Sequence, residues 1–253
     1  MSRLLIIPAA GAGSRLGAAM PKVLVSVGGV AMLDRLLTLY EPVVDRVVVV
    51  VNPAFADRVR RHLDRSGAAG RVECLEQAAP TGMLDALLLA RPLVIDRNPS
   101  SVWVTWCDQV AVHAKTIERL AARTSPHRNP LVMPTVMARE PYIHFERDTS
   151  GRIVRVLHRR EGDVMPDTGE SDMGLFALSA PAFSERLPAY AERVEPGHTT
   201  RERNFLPFIP WLARTDTIET FQAENPMEAV GINTPEELAA VERYLSSLPA
   251  SEP

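Results

Sequence analysis

Cysteine is nearly absent from this chain. Cys74 and Cys107 are the only two in 253 residues, and neither stands in a metal-ligand spacing. Two thiols in a chain this long make no disulfide framework, so a reducing, cytoplasmic setting is expected. Long apolar runs are missing as well. The opening run Leu4 to Ile7 is ended by Pro8 and is too short for a signal-peptide core. The longest run elsewhere, Ala86 to Ala90, falls far short of a bilayer span, so no membrane partner is expected. Charge of one sign is lacking too: 28 Lys and Arg face 31 Asp and Glu, for a net charge of −3. That balance gives no bulk attraction to nucleic acid. There is no repeat, no low-complexity tract and no linker. Only Pro249 to Pro253 reads as a loose tail.

What is present suits one large α/β domain over residues 1–253. Leu4 to Ile7, Arg46 to Val51, Val102 to Trp106 and Leu131 to Met133 are continuous apolar runs of strand length. Such runs fit strands buried on both faces, as in a parallel sheet. Helical patterns lie between them at Ala31 to Tyr40, Phe55 to Leu63, Thr81 to Ala90 and Lys115 to Ala122. This alternation through about residue 135 predicts a doubly wound, nucleotide-binding half, 1–135. The half 136–253 changes character. It reads as a hairpin (Pro141 to Glu146, Arg152 to His158), a strand at Met173 to Leu178, and helices at Ala182 to Ala191 and Phe205 to Ala213. A short strand at Ala229 to Ile232 and a final helix at Pro235 to Leu248 follow. That last helix is marked by a Thr234 cap, Pro235 at its first position and Glu237 completing a capping box.

The richest segment follows the first strand: Pro8-Ala9-Ala10-Gly11-Ala12-Gly13-Ser14-Arg15-Leu16-Gly17. Tiny residues at the carboxyl end of a strand let backbone N–H groups approach phosphates. A P-loop is excluded because no Gly-Lys-Ser/Thr ending is present. A dinucleotide fingerprint is disfavoured because Gly13 and Gly17 are one residue too far apart, and Asp34 sits in a predicted helix rather than at a strand end. The loop instead carries Arg15, then Pro21-Lys22-Val23-Leu24 and Gly28-Gly29. Two fixed cations beside a phosphate loop suit a transfer in which negative charge spreads over phosphorus and departing pyrophosphate.

Residues 4–33 resemble the nucleotidyltransferase domain of bacterial N-acetylglucosamine-1-phosphate uridylyltransferases and their sugar-nucleotide pyrophosphorylase relatives. The resemblance implies a Rossmann-like, glycosyltransferase-A-type mixed sheet, mostly parallel, with helices on both faces. It implies a Mg2+-dependent transfer from a nucleoside triphosphate, UTP favoured, to a sugar 1-phosphate. Pro8, Ala9, Ala10, Gly11 and Gly13 then line the nucleotide, and Arg15 and Lys22 serve the phosphates. Later landmarks follow in order. Gln77, Pro80, Thr81 and Gly82 stand where the family holds the base, with Pro80 replacing a glycine. Asp108, after the strand ending near Trp106, and Asn233, before the last helix, become the metal ligands. Read from the residues alone, a carboxylate after a buried strand is an obvious place for a divalent cation, with a helix cap as the alternative for Asp108. On the sugar side Asp172 replaces the family's asparagine, with Gly174 two residues on, and Glu202 adds a wall. The family's glutamate near His158 is missing, though Glu161 follows closely, so the acceptor is open to question.

The segment Thr200 to Pro207 reads as core on its Phe205 and Leu206. His144, His158 and His198 have no metal spacing or nucleophile partner and read as structural or solvent-facing. Arg58, Arg60 and Arg61 read as the wet face of a helix. The alternatives are a cytidylyltransferase for a polyol phosphate, a dehydrogenase, and a silent nucleotide-sensing domain. The acetyltransferase β-helix of bifunctional relatives is not expected here.

Overall fold

The computed structural model describes residues 2–11, 20–124 and 129–248. The chain opens with strand β1 (Arg3–Ala9). A tight ribbon of β2 (Ser26–Val27) and β3 (Val30–Ala31) leads to helix α1 (Met32–Tyr40). Then come β4 (Arg46–Val51), α2 (Pro53–Ser66) and β5 (Val72–Glu76). Two short helices, α3 (Met83–Leu88) and α4 (Arg91–Arg97), precede β6 (Ser101–Thr105) and α5 (Ala114–Arg123). The second half holds β7 (Leu131–Arg139), the hairpin β8 (Ile143–Arg147) and β9 (Ile153–His158), β10 (Thr168–Asp172) and β11 (Leu175–Ser179). A π-helical segment (Ala182–Arg186) runs into α6 (Leu187–Ala191), followed by α7 (Phe208–Leu212), β12 (Ile218–Gln222) and α8 (Pro235–Ser247).

The main sheet has the order β10-β7-β11-β6-β1-β4-β5, with β12 also paired to β7. Strands β6, β1, β4 and β5 are mutually parallel. β11 enters antiparallel between β6 and β7, and β10 runs antiparallel along the far end of β7. The sheet is therefore mixed, as expected, with its parallel half built from the first 105 residues.

The continuous apolar strands are buried on both faces. On β1, Leu5 and Ile7 point into one core with α1, α2, α5 and α8, while Leu4 and Ile6 point into the other with α3, α4, α6 and α7. Val47, Val49 and Val51 of β4 alternate with Val48 and Val50 in the same way. Such burial removes every branched side chain from water, each worth about 1.5–3 kcal/mol.

Several elements differ from the sequence reading. β5 has no uninterrupted apolar run, because it is an edge strand with exposed Glu76. β10 and β12 are polar enough to escape a pattern search. The segment expected as a strand at Ala229 to Ile232 is instead the end of a 3-10 turn (Pro226–Ala229) and an extended stretch without a sheet partner. Its backbone is held elsewhere: the Ile232 amide donates to the Asp108 carbonyl at 3.3 Å. The helix expected from Phe205 is shorter, Phe208–Leu212. The tail at Pro249 to Pro253 lies outside the described residues.

The start of α8 is built as its sequence indicates. Thr234 accepts from the Glu237 amide, Glu237 reaches back to the Thr234 amide at 2.9 Å, and Pro235 occupies the first turn. Glu237 also accepts from the Asn233 amide at 2.7 Å, so the cap fixes the residue before the helix. Thr234→Ala is expected to cost about 1 kcal/mol in urea unfolding. An unchanged unfolding midpoint would contradict the cap's contribution.

Candidate nucleotide and acceptor site

Four loops meet where the parallel strands end, the position at which open α/β sheets bind ligands. They are the Pro8–Gly11 turn after β1, the Gln77–Gly82 loop after β5, the Trp106–Gln109 turn after β6 and the Gly231–Asn233 stretch before α8. The antiparallel entry of β11 adds a fifth. Leu175 pairs with Thr105, and the Trp106 amide donates to the Gly174 carbonyl at 2.9 Å, so the Asp172–Gly174 turn lies against the end of β6.

The centre of the site is Lys22, on the 3-10 turn Lys22–Leu24 whose Val23 and Leu24 are buried. Its ammonium is paired to the Asp108 carboxylate and donates to Asn233 Oδ1 at 2.8 Å. Both charged side chains are largely withdrawn from water, with exposures of 13% and 14%. The alternative of Asp108 as a helix cap is set aside by α5, which starts at Ala114 behind His113. Gly231 lets the last loop approach: a Cβ there would stand 3.3 Å from Asp108 Cγ. Cys107, next to Asp108, is inert, since burial pushes its thiol up to about 12.

Two pockets flank this centre. The smaller is lined by Pro8, Ala10, Gly11, Gln77, Pro80 and Gly82, matching six of the residues expected around the nucleotide. Gln77 is spent partly on the loop itself, donating to the Gly82 carbonyl at 3.0 Å. Thr81 turns its backbone away, its carbonyl accepting from the Arg203 amide at 2.7 Å, and Ala9 is the buried last residue of β1. Gly13 and Arg15 lie outside the described residues. The larger pocket, about 600 Å³, includes Asp108, Asn233, Asp172 and Glu202 in its lining. Glu202 lines both pockets and marks their border.

Of the residues expected on the acceptor side, Gly174 is placed against the Trp106 ring rather than among the cleft-lining residues. Its φ is +63°, and a Cβ would meet Trp106 Cδ1 at 2.2 Å. Glu161 is occupied elsewhere, accepting from the Thr199 amide at 2.8 Å and from Thr200. His158, read as structural or solvent-facing, instead lines the cleft and bonds Asn204 Nδ2 through Nδ1 at 2.9 Å. Burial holds its imidazole below its ordinary range. His198 is exposed, and His144 Nδ1 lies 3.1 Å from the Glu170 carbonyl. The stretch divides its labour: Phe205 and Leu206 are buried in the core as read, while Glu202 and Asn204, with an edge of Leu206, line the cleft. Trp106, Arg139, Tyr142 and Arg160 also line it and were not singled out by sequence. Only Trp106 carried a signal, an aromatic two residues before the acid.

Asp172 is 9% exposed, and accepts from the Gly174 amide at 2.7 Å and from the Trp106 indole. Burial pushes its carboxyl up to about 6, with the Asp108 charge adding to the effect. A carboxyl raised on folding binds its proton more tightly in the native state, so stability falls as pH rises from the ordinary carboxylate range through about 6. Asp172→Asn keeps the oxygen that Gly174 needs and loses the charge. Relative to the wild type, the variant is expected to be about 2 kcal/mol better off at pH 8 than near pH 4. Thermal melts at both values decide this, and an equal or smaller advantage at pH 8 contradicts it.

Comparisons with known proteins agree with the geometry. A family model described as a MobA-like NTP transferase domain matches residues 5–170. The chain is 29% identical over 252 residues to the bifunctional protein GlmU of Azotobacter vinelandii, covering 98% of this chain and 52% of that protein. GlmU of Pelotomaculum thermopropionicum is 27% identical over 247 residues, covering 95% and 51%. The chain thus spans about half the length of the curated relatives it matches. Among solved structures, a Bacillus anthracis protein named as a glucose-1-phosphate thymidylyltransferase, in complex with a sucrose, superposes with a TM-score of 0.74 at 13% identity. It covers 99% of this chain and 98% of its own. HddC from Yersinia pseudotuberculosis gives 0.67 at 19% identity, covering 97% and 100%. The two structures share the fold, and the family match extends over Lys22 and the turn after β6 that carries Asp108: the chain belongs to the MobA-like NTP transferase domain family.

Proposed function

We propose that this protein transfers a nucleotidyl group from a nucleoside triphosphate to a sugar 1-phosphate, giving a nucleotide-sugar and pyrophosphate. The observation that carries this reading is the seat of Lys22: a cation held between Asp108 and Asn233, three residues from distant parts of the chain. A silent binding domain has no need of such a centre. The GlmU relatives and the thymidylyltransferase neighbour support the sugar 1-phosphate class. UTP is favoured as donor because of the Pro21-Lys22-Val23-Leu24 form.

Asp108 and Asn233 present one carboxylate and one amide oxygen to a common point that now receives an ammonium. Hard oxygen donors of this kind suit Mg2+, which commonly takes one or two carboxylates and completes its shell with substrate phosphates and water. We assign these two residues as its protein ligands; when bound, Mg2+ would neutralise charge on the phosphate oxygens. Lys22 then has its ammonium available for the phosphate chain. Pro8 to Gly11 bring the backbone close to the triphosphate, and Gln77 and Gly82 border the base pocket. The acceptor enters from the larger cleft. Its phosphate oxygen forms a bond to the α-phosphorus as the bond to pyrophosphate breaks. That oxygen is already ionised at neutral pH, so no general base is needed, and positioning with fixed charge supplies the catalysis.

Pyrophosphate release across five nucleoside triphosphates and several sugar 1-phosphates, with and without Mg2+, tests the reading. Release is expected with at least one pair and only with metal. Lys22→Ala is expected to lower turnover by about 10²–10³-fold while the protein still folds, its melting temperature lowered because Asp108 loses its partner. Near-normal turnover in that variant would sink the proposal.

A further inference from the structure

The floor of the larger cleft holds hydrogen-bond acceptors that the described residues leave undersupplied. Asp172 lines the cleft and is more than nine-tenths buried, yet its partners are neutral: the Gly174 amide and the Trp106 indole. No Lys, Arg or His among the described residues pairs with it. Gln109 is beside it, its Cγ and the Trp106 ring both abutting Gly174. Gln109 is 6% exposed and lines the same cleft. Its Nε2 donates to the Ala229 carbonyl at 3.3 Å, which fixes the amide's orientation, and its Oε1 is buried with no donor at all.

A buried carboxylate without a counter-ion and a buried amide oxygen without a donor are both costly. A hydroxyl offers the carboxylate one proton and no charge. A primary ammonium offers three protons and the missing positive charge, and Trp106 supplies an aromatic ring beside it. Resting on the nucleotidyl-transfer reading above, we propose that the acceptor is a zwitterion, an amine-bearing phosphate whose ammonium is recognised by Asp172. The cleft as a whole has the matching mixture of signs, since Arg139 and Arg160 line it along with the carboxylates. Arg160 is only loosely engaged, 4.0 Å from Glu202. The aspartate at position 172, which sets this chain apart from the asparagine-bearing pattern, thereby acquires a chemical purpose.

The test compares acceptors at pH 8 with saturating nucleoside triphosphate and Mg2+. Glucosamine 1-phosphate is set against glucose 1-phosphate and N-acetylglucosamine 1-phosphate, and 2-aminoethyl phosphate represents an amino alcohol rather than an amino sugar. One of the two amines is expected to exceed the neutral sugars in kcat/KM by at least about tenfold. Asp172→Asn is expected to abolish that preference through KM for the amine, leaving KM for the nucleotide unchanged. Equal or better use of a neutral acceptor by the wild-type protein overturns the inference, as does an Asp172→Asn protein that keeps the amine preference. Pyrophosphate release with neutral acceptors alone would overturn only this inference. Absence of release with every pair of nucleoside triphosphate and acceptor would overturn the transfer reading with it.

Discussion

The pairing of the Lys22 ammonium with Asp108 and Asn233 is the constraint around which the rest of the site is arranged. Lys22 lies 86 residues from Asp108 and 211 from Asn233, so the contact joins the 3-10 turn near the start of the chain, the end of the central strand and the terminal helix. Removing any one partner leaves buried polar groups uncompensated, which is costly where water is largely excluded. The surrounding structure serves this contact. Val23 and Leu24 anchor the turn that aims the lysine, β6 delivers Asp108 from the middle of the sheet, and the α8 capping box holds Asn233 by its amide. The contact also brings two oxygen acceptors from distant segments to one cation, the protein's own ammonium.

The two flanking pockets are joined as firmly as the centre. Gly82, at φ +117°, approaches the Arg203 backbone so closely that a Cβ would meet its nitrogen and oxygen at 2.5 Å. Arg203 adds an ion pair to Asp85 at 2.6 Å. Beside it, Arg201 takes a left-handed φ of +58°, unusual for a residue with a side chain and typical of functional loops held by their surroundings. The Gln77–Gly82 loop and the Arg201–Arg203 segment therefore form one unit, with Glu202 lining both pockets.

The parallel half of the fold was legible because its strands are covered on both faces. An apolar run such as Arg46 to Val51 has few other destinations than a central strand. The elements that escaped were those whose identity depends on partners. Thr168 to Asp172 has almost no apolar residue and becomes a strand only because β7 offers it an edge. Ala229 to Ile232 looks like a strand but is pinned to Asp108 instead. The site divides likewise. Lys22, Asp108 and Asn233 stand in local contexts that can be read in order along the chain. Arg139, Tyr142, His158 and Arg160 converge only once β7 and the β8–β9 hairpin are in place, and nothing in their spacing announces it. Asp172 was visible as a departure, but its burial and neutral partners required the Gly174 turn against Trp106.

If Lys22 occupies a cation seat, removing its ammonium frees two oxygen ligands for a metal. Mn2+ titration without nucleotide, followed by water-proton relaxation, reads this directly. Lys22→Ala protein is expected to bind Mn2+ at least about tenfold more tightly than the wild type, and adding Asp108→Asn is expected to abolish the gain. Equal Mn2+ affinity in the wild type and Lys22→Ala would contradict a shared seat for the lysine and the metal.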